Sequence, residues 1–415
     1  MQIQTQILAD LIIANKSLLF NEDLFKGRAK GAWRKYHKAF CQLIAECITN
    51  ERSHNHMYNT YDLGGRSELV KRFKSNNTFT SVNEKCGVFV ATGAYKKGLS
   101  NQAYMLNDSF LAKLDTLIDT DTLPVSKLNN WAAYKPDSYN DSSFCSTSGH
   151  GITCFMMQSD KPVERLYAWA LREAYRLHDN KIPQYYVKGN KTDRLYGKGP
   201  LAIGNISREL RAHVMQDYIE YDLSAASYTI LFNLADDKTL YPTIDQYVND
   251  VQGFREQLCD GTDADVNAVK TVFLHKSFGS SLTFKTGIAK ELPMTLVQQI
   301  TKHPLFQRFN DELKLLKTEL EALYPEKLEE FRTARDVYEE GHTKVGQYKG
   351  NYRSTYICWL YQKYEIEIIQ LIRKELDDPM DCLLLHDAIY TKQKLDIPTL
   401  EALVKAELGI DIRIG

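Results

Sequence analysis

Two short apolar stretches, each ending on an aspartate, constrain this chain more than any other feature. The first, YIEYDL at 218–223, runs out on Asp222. The second, DCLLLHDAIYT at 381–391, is interrupted only by His386 and Asp387. Runs of this length rich in Leu, Ile and Tyr read as strands, and the second reads as a strand pair with a polar tip. Ser224 is placed to cap a helix that follows the first strand. Between the two stretches the patterns are helical: about 264–277, one or two long charged helices across 305–338 broken near Pro325, and 352–376. A last helix near 398–408 leads into a closing strand from Ile410 to Ile414. Strand, helices, strand pair, helix, strand is the order of an α+β fold, a small antiparallel sheet backed by helices.

The first half is less regular. Residues 1–60 read as helices, with Ala9, Leu11, Ile12, Ile13, Ala14 and Leu18 on one apolar face. Residues 75–160 are polar and rich in Ser, Thr and Asn, and end in a loop around Ser146, Ser148, Gly149 and Gly151. Residues 161–180 have helical periodicity, with Val163, Leu166, Ala170 and Leu171 on one side, and a glycine-rich stretch follows from Gly189 to Gly204.

With 415 residues the chain exceeds the reach of a single core, so several subdomains are expected. Its 43% hydrophobic and 25% charged content excludes disorder. No run reaches the length of a membrane span, and no signal-peptide pattern opens the chain. The eight cysteines form no CxxC pair, and Cys145, His150 and Cys154 lack a fourth ligand at zinc-finger spacing, so they read as reduced thiols of a cytoplasmic protein. A net charge of −1 leaves any nucleic-acid binding to local patches. One such patch is Lys26–Lys38, where Lys26, Arg28, Lys30, Arg34, Lys35 and Lys38 are interleaved with Trp33 and Tyr36; it reads either as a phosphate-and-base surface or as a solvated helix face.

Asp222 and Asp387 are the pair best placed for chemistry. Phosphoryl and nucleotidyl transfer needs charge neutralisation and in-line placement more than covalent help. Two divalent cations supply both when two acids sit on rigid neighbouring strands. Each aspartate stands at the polar end of an apolar strand, and the small residues Ser224, Ala225 and Ala226 let the backbone come close. Taken singly, Asp222 is as well explained by helix capping and Asp387 by a surface turn. In VNAVKTVFLHKSFGSS, Lys270, Leu274 and Phe278 fall on one arc and Val266, Val269 and Phe273 on the next, so one arc can pack while the other faces a substrate. Lys270 would meet a triphosphate, Phe278 would stack on a base, and Gly279 would end the helix. The plain alternative is a solvated lysine and a core phenylalanine.

DLSAASYTIL, KTVFLHKSFG and LLLHDAIY resemble, in order, the A, B and C motifs of the superfamily that contains family A DNA polymerases and phage-type single-subunit RNA polymerases. The resemblance spans about residues 190–415. It implies a right-hand polymerase with an antiparallel palm sheet, helical fingers and a mostly helical N-terminal region. The corresponding divisions are 1–185 for an N-terminal or thumb-like region, 186–235 for the first palm part, 236–340 for the fingers and 341–415 for the second palm part. It implies two Mg2+ ions on Asp222, Asp387 and the main-chain carbonyl of Leu223. Lys270 would hold the phosphates of an NTP, Phe278 and Gly279 would contact the nucleotide, and His386 would lie near the growing 3′ end. KTDRLYG followed by GNISRELR resembles the arginine-bearing segment that touches the template-product backbone, implying roles for Arg194, Arg208 and Arg211, although Asp193 stands where the family has glycine. GNYRSTYI resembles the start of the helix before the last carboxylate, which would turn Asn351, Arg353 and Ser354 to the minor groove.

RNA is the expected product on a DNA template. Seven residues separate Lys270 from Phe278, as in the phage RNA polymerases, and Ser227 stands where family A DNA polymerases carry a glutamate that blocks the 2′-hydroxyl. Phe278 in place of the usual tyrosine, Val266 in place of an arginine and the compact spacing of the motifs point the other way, toward a DNA polymerase. No paired-acid exonuclease motif precedes the arginine segment, so proofreading is not expected. The short N-terminal region suggests that a second subunit supplies promoter contacts, as in the split RNA polymerase of Enquatrovirus-like podophages, whose larger, catalytic subunit this chain resembles. The alternative from another class is a non-enzymatic nucleic-acid-binding phage protein in which the three motifs are accidental.

Overall fold

The computed structural model describes residues 3–20, 28–49, 57–59, 73, 76–92, 103–118, 136–189, 192–199, 201–280, 282–340 and 352–415. The described residues form many helices and three small sheets, and the chain divides into two compact units, residues 1–185 with 197–217 and residues 186–196 with 218–415. Among the described residues no helix is long and apolar enough to cross a membrane.

In the first unit α1 (Ile3–Ala14) buries Ala9, Leu11 and Ile12 of its expected apolar face, but Ala14 is exposed and Leu18, in the next short helix, is 69% exposed; α2 (Arg28–Thr49) and α3 (Pro162–Arg176) follow. Val163, Leu166, Ala170 and Leu171 are all buried. The polar region at 75–160 holds more structure than its composition suggested. Two strands of this region, β2 (Phe89–Thr92) and β3 (Ala103–Leu106), join β1 (Met57–Asn59), which lies in the stretch expected to be helical, in an antiparallel sheet of order β1-β3-β2, and β4 (Asp141–Ser146) follows. The expected loop at Ser146–Gly151 is the start of a helix, Gly149–Gln158, because the Ser148 hydroxyl accepts a hydrogen bond from the Gly151 N–H and caps it. The glycine-rich stretch likewise contains strand, β5 (Lys181–Gly189) and β6 (Thr192–Lys198), whose residues 186–196 belong to the second unit.

Trp33 corrects the reading of the basic patch. It is 4% exposed and meets Phe20 edge-on at 5.1 Å, with Phe40 nearby, so it belongs to the core and not to a base-stacking surface. Arg34, Lys35 and Lys38 on the same helix are exposed, whereas Lys26 and the side chains of Arg28 and Lys30 lie outside the described residues.

The second unit is built on a three-stranded antiparallel sheet, β7 (Ile219–Asp222), β8 (Cys382–Leu385) and β9 (Ala388–Thr391), in the order β7-β9-β8. Asp222 pairs with Ala388 and Leu385 with Ala388 across the two ladders. The expected closing strand is reduced to one bridge, Leu223 to Ile414, with Asp222 and Gly415 exchanging both backbone hydrogen bonds. Helices pack around this sheet: α4 (Ala226–Asn233), α5 (Val266–Ser277), α6 (Pro304–Leu323), α7 (Tyr352–Lys374) and α8 (Ile397–Leu408). The long charged segment breaks at Pro325, as its sequence indicates, and continues as a separate helix to Glu340. Segments 186–235, 236–340 and 341–415 contribute to one continuous apolar core.

An aromatic nucleus ties the parts of that core together. Tyr247 stacks on Phe273 at 4.8 Å, Tyr228 meets Phe309 edge-on at 5.2 Å, and the Tyr228 hydroxyl donates to the Phe273 carbonyl at 2.7 Å. Tyr228 lies in the helix that follows Asp222, and Phe273 lies in α5. The nucleus therefore fixes how α5 is rotated with respect to the end of β7.

Candidate functional site

Strand alternation makes β7 two-faced. Tyr221 is buried and its hydroxyl accepts from the Leu395 N–H at 2.7 Å, while Glu220 and Asp222 point to the open face. The turn after Asp222 departs from the expected cap. Ala225, not Ser224, is the N-cap residue; it has φ 47° and gives no side-chain cap, because a left-handed residue is needed to turn the chain from strand directly into α4.

Asp387 reaches the site through a two-residue hairpin turn. Continued register would set it opposite Leu223, whose side chain is buried. His386 instead adopts φ 56°, a conformation that costs a non-glycine residue of order 1 kcal/mol, and the turn releases Asp387 from strand alternation so that its carboxylate stays partly exposed. The Leu223 N–H donates to the Asp387 carbonyl at 3.1 Å. In extended backbone the N–H and C=O of one residue point the same way, so the Leu223 carbonyl faces the Asp387 side as well. His386 packs edge-on against Tyr196 at 5.9 Å.

The electrostatics show that these acids share one place. Asp222 is raised to about 7, first by burial, then by Asp387 and Glu220, with the Leu223 N–H and Lys270 opposing the rise. Two acids that repel each other, with a backbone carbonyl directed to the same spot, make a donor set suited to hard divalent cations. Among the described residues no group of three or more His, Cys, Asp or Glu side chains is arranged to hold a metal ion.

A raised acid has a definite linkage. Between an ordinary carboxylate value of 3.8 and about 7 the folded chain holds a proton on Asp222 that the unfolded chain releases. Stability from this group is therefore greatest below that window and declines as pH rises through 7. Asp222→Asn is expected to melt with the wild type at pH 4 in the absence of divalent cations and to gain about 1–2 °C by pH 8, the partial exposure of the group keeping the effect small. Thermal unfolding of both proteins across that range checks it; equal midpoints at pH 8 would remove the repulsion.

Helix α5 presents the second part of the site. Val269 and Phe273 are buried, whereas Lys270 is exposed, as are Leu274 at 51% and Phe278 at 46%. Asp265 caps the helix by accepting from the Ala268 N–H. Gly279, at φ 76°, closes it: the Ser280 N–H donates to the His275 carbonyl and the Gly279 N–H to that of Lys276, a Schellman end. Ser227 is half-buried in the first turn of α4.

Arg194, on β6, is largely buried; its Nε donates to Glu365 Oε1 at 2.9 Å, its Nη2 forms an ion pair with the same oxygen at 2.8 Å, and Nη2 lies 3.9 Å from Asp387 Oδ1. It thus pairs with Glu365 and lies near Asp387. Arg208 and Arg211 sit on a short helix of the other unit, Arg208 exposed and Arg211 donating to the Ile206 carbonyl. Asn351 lies outside the described residues, and so do the side chains of Arg353 and Ser354, which open α7. Cys154 lies 3.5 Å from His150, but Cys145 is buried.

Sequence reasoning missed two acids. Glu220 follows from the alternation that exposes Asp222. Glu365 is 1% exposed and stands on the buried stripe of α7 with Tyr361, Ile368, Ile369 and Ile372; a lone carboxylate at that spacing is the signal that marks it.

No protein-family model matches the chain and no curated protein matches it. Among solved structures it is similar to the POL domain of Pol1 from M. smegmatis in complex with DNA primer-template and dNTP, at a TM-score of 0.39 and 13% identity. That likeness covers 100% of this chain and 66% of the other, so the chain spans just under two thirds of the length of that polymerase domain.

Proposed function

We propose that this chain is the catalytic part of a template-directed nucleic-acid polymerase, a nucleotidyltransferase that extends RNA on a DNA template. The observation that carries this reading is the convergence of Asp222 and Asp387 at one end of the β7-β9 pair, with Lys270 close enough to stabilise the charge on Asp222. In the reaction a 3′-hydroxyl oxygen attacks the α-phosphorus of an NTP, and pyrophosphate leaves as that bond forms. Two Mg2+ ions held by Asp222, Asp387 and the Leu223 carbonyl would supply activation of the hydroxyl and neutralisation of the phosphates.

The remaining residues bind and orient. Lys270 places an ammonium on the phosphates, and the exposed ring of Phe278 offers a face to the incoming base. Gly279, with no side chain, leaves room for the template. Ser227 leaves room for a ribose hydroxyl, and His386 stands beside the 3′ end. Arg208, Arg211, Asn351 and Arg353 would hold the nucleic acid, and a second subunit would supply promoter recognition. A DNA polymerase remains the second reading because Phe278 has no hydroxyl with which to recognise a ribose.

The test is incorporation of labelled nucleotide on a primed template with Mg2+, wild type against Lys270→Ala. Lys270 is exposed on a helix, where alanine preserves the fold. Because the ammonium would contact phosphate in both the ground and the transition state, the variant is expected to raise KM and lower kcat, with kcat/KM down about tenfold or more. Absence of incorporation by the wild type would sink the polymerase reading, and unchanged kinetics in the variant would return Lys270 to a solvated surface residue.

A further inference from the structure

Glu365 has no place in the chemistry just described, yet it is a carboxylate carried into the core of the second unit on the apolar stripe of α7. Its Oε1 accepts a hydrogen bond from Arg194 Nε at 2.9 Å and forms an ion pair with Nη2 at 2.8 Å. The same Nη2 faces Asp387 Oδ1 at 3.9 Å. A buried acid held this way fixes the fork of the arginine, since both nitrogens are paired with a single oxygen and the side chain of Glu365 is 1% exposed. The guanidinium thus faces two acids, Glu365 in the core and Asp387 at the site.

We propose that Arg194 is a built-in counter-cation of Asp387, set in place by Glu365 as a positioning residue, and that the pair tunes how tightly the two aspartates bind divalent cations. This inference rests on the reading of Asp222 and Asp387 as cation ligands. Its physical basis is the orientation of the ion pair. The positive end lies next to Asp387 and the negative end lies deeper, so the pair opposes an incoming cation although its net charge is zero. Neutralising Glu365 alone would leave the guanidinium with Asp387 as its nearest acid and strengthen that opposition. Neutralising both partners would remove it.

The two changes should therefore act in opposite directions, which a purely structural pair would not produce. Calorimetric titration of the full chain with Mn2+, without nucleic acid, is the measurement. Glu365→Gln is expected to weaken binding several-fold, and Arg194→Gln with Glu365→Gln to tighten it by about tenfold, because Glu365 offsets most of the guanidinium's repulsion and only the difference is removed. Should that double variant not fold, Arg194→Met with Glu365→Leu provides a second neutral pair, since apolar replacement of a buried ion pair is often tolerated, and it carries the same expectation. Arg194→Lys, which keeps the charge, should stay within about twofold of the wild type.

Asp387→Asn separates the two levels of the argument. If it abolishes Mn2+ binding while the neutral pairs leave affinity unchanged or shift it in the same direction as Glu365→Gln, the counter-cation role is overturned and the cation site stands. If the wild type binds no Mn2+, or Asp387→Asn binds it unchanged, both fall.

Discussion

Asp222→Asn and Asp387→Asn should each lower nucleotide incorporation by at least about a hundredfold while leaving the fold and single-stranded template binding intact. Each substitution removes one of the two carboxylates that stand at the end of the β7-β9 pair, and charge stabilisation of that kind is commonly worth a hundredfold or more. Neither change opens a cavity, because asparagine is isosteric. Asp222 is already held well above the usual carboxylate range by burial and by Asp387, so the variant relieves repulsion in the cation-free protein. Loss of activity would accordingly accompany unchanged or slightly raised thermal stability. That combination distinguishes a ligand from a scaffold residue, for which activity and stability fall together. Either variant retaining more than a few per cent of the wild-type rate would show that its aspartate is not a principal ligand.

The second half of the chain was legible because its signals are local and periodic. The strand ending on Asp222, the hairpin with its tip at His386 and Asp387, the helix over Val266–Ser277 and the break at Pro325 each depend on a few adjacent residues whose burial or backbone preference the sequence displays. The split of α5 into a packed arc and an open arc follows from the 100° spacing alone. What did not show was set by tertiary context. Ser224 looks like a cap, but the tight passage from β7 into α4 needs a left-handed residue one position later, at Ala225. Trp33 sits among basic residues in sequence and among Phe20 and Phe40 in space. Ser148 and the glycines beside it have the composition of a loop, and only the capping bond to Gly151 reveals a helix start.

The site was legible to the same degree and for the same reason. Asp222, Asp387 and the Lys270 arc could be chosen because each lies within a short pattern. The partner of Arg194 could not, since Glu365 lies 171 residues away and the pairing exists only once β6 and α7 pack in the second unit. A motif can therefore nominate Arg194 without revealing its surroundings: the resemblance points it toward a nucleic-acid backbone, and the fold adds an ion pair with Glu365 and the nearby carboxylate of Asp387.

Ser227→Glu is expected to shift the ratio of kcat/KM for ATP to that for dATP against ATP by about tenfold to a hundredfold, the range that filling or clearing space in a pocket provides. The variant should fold, because Ser227 is half-buried in the first turn of α4 and a carboxylate there is favoured by the helix dipole. In the wild type the small serine leaves the 2′-hydroxyl room, so ATP should be accepted. Room alone discriminates weakly, however. A site that hydrogen-bonds a substrate hydroxyl rejects the analogue lacking it far more strongly than one that merely accommodates it. Phe278 has no such group, so dATP should also be used to some extent. Because its ring is 46% exposed, a hydroxyl added by Phe278→Tyr meets no packed neighbour that must move, and that variant should raise the preference for ATP. The three proteins assayed on one primed template with both nucleotides separate the outcomes. A wild-type preference for dATP that Ser227→Glu leaves unmoved would replace the RNA polymerase reading with the DNA polymerase one, because the 2′ position would then be sensed somewhere other than at Ser227.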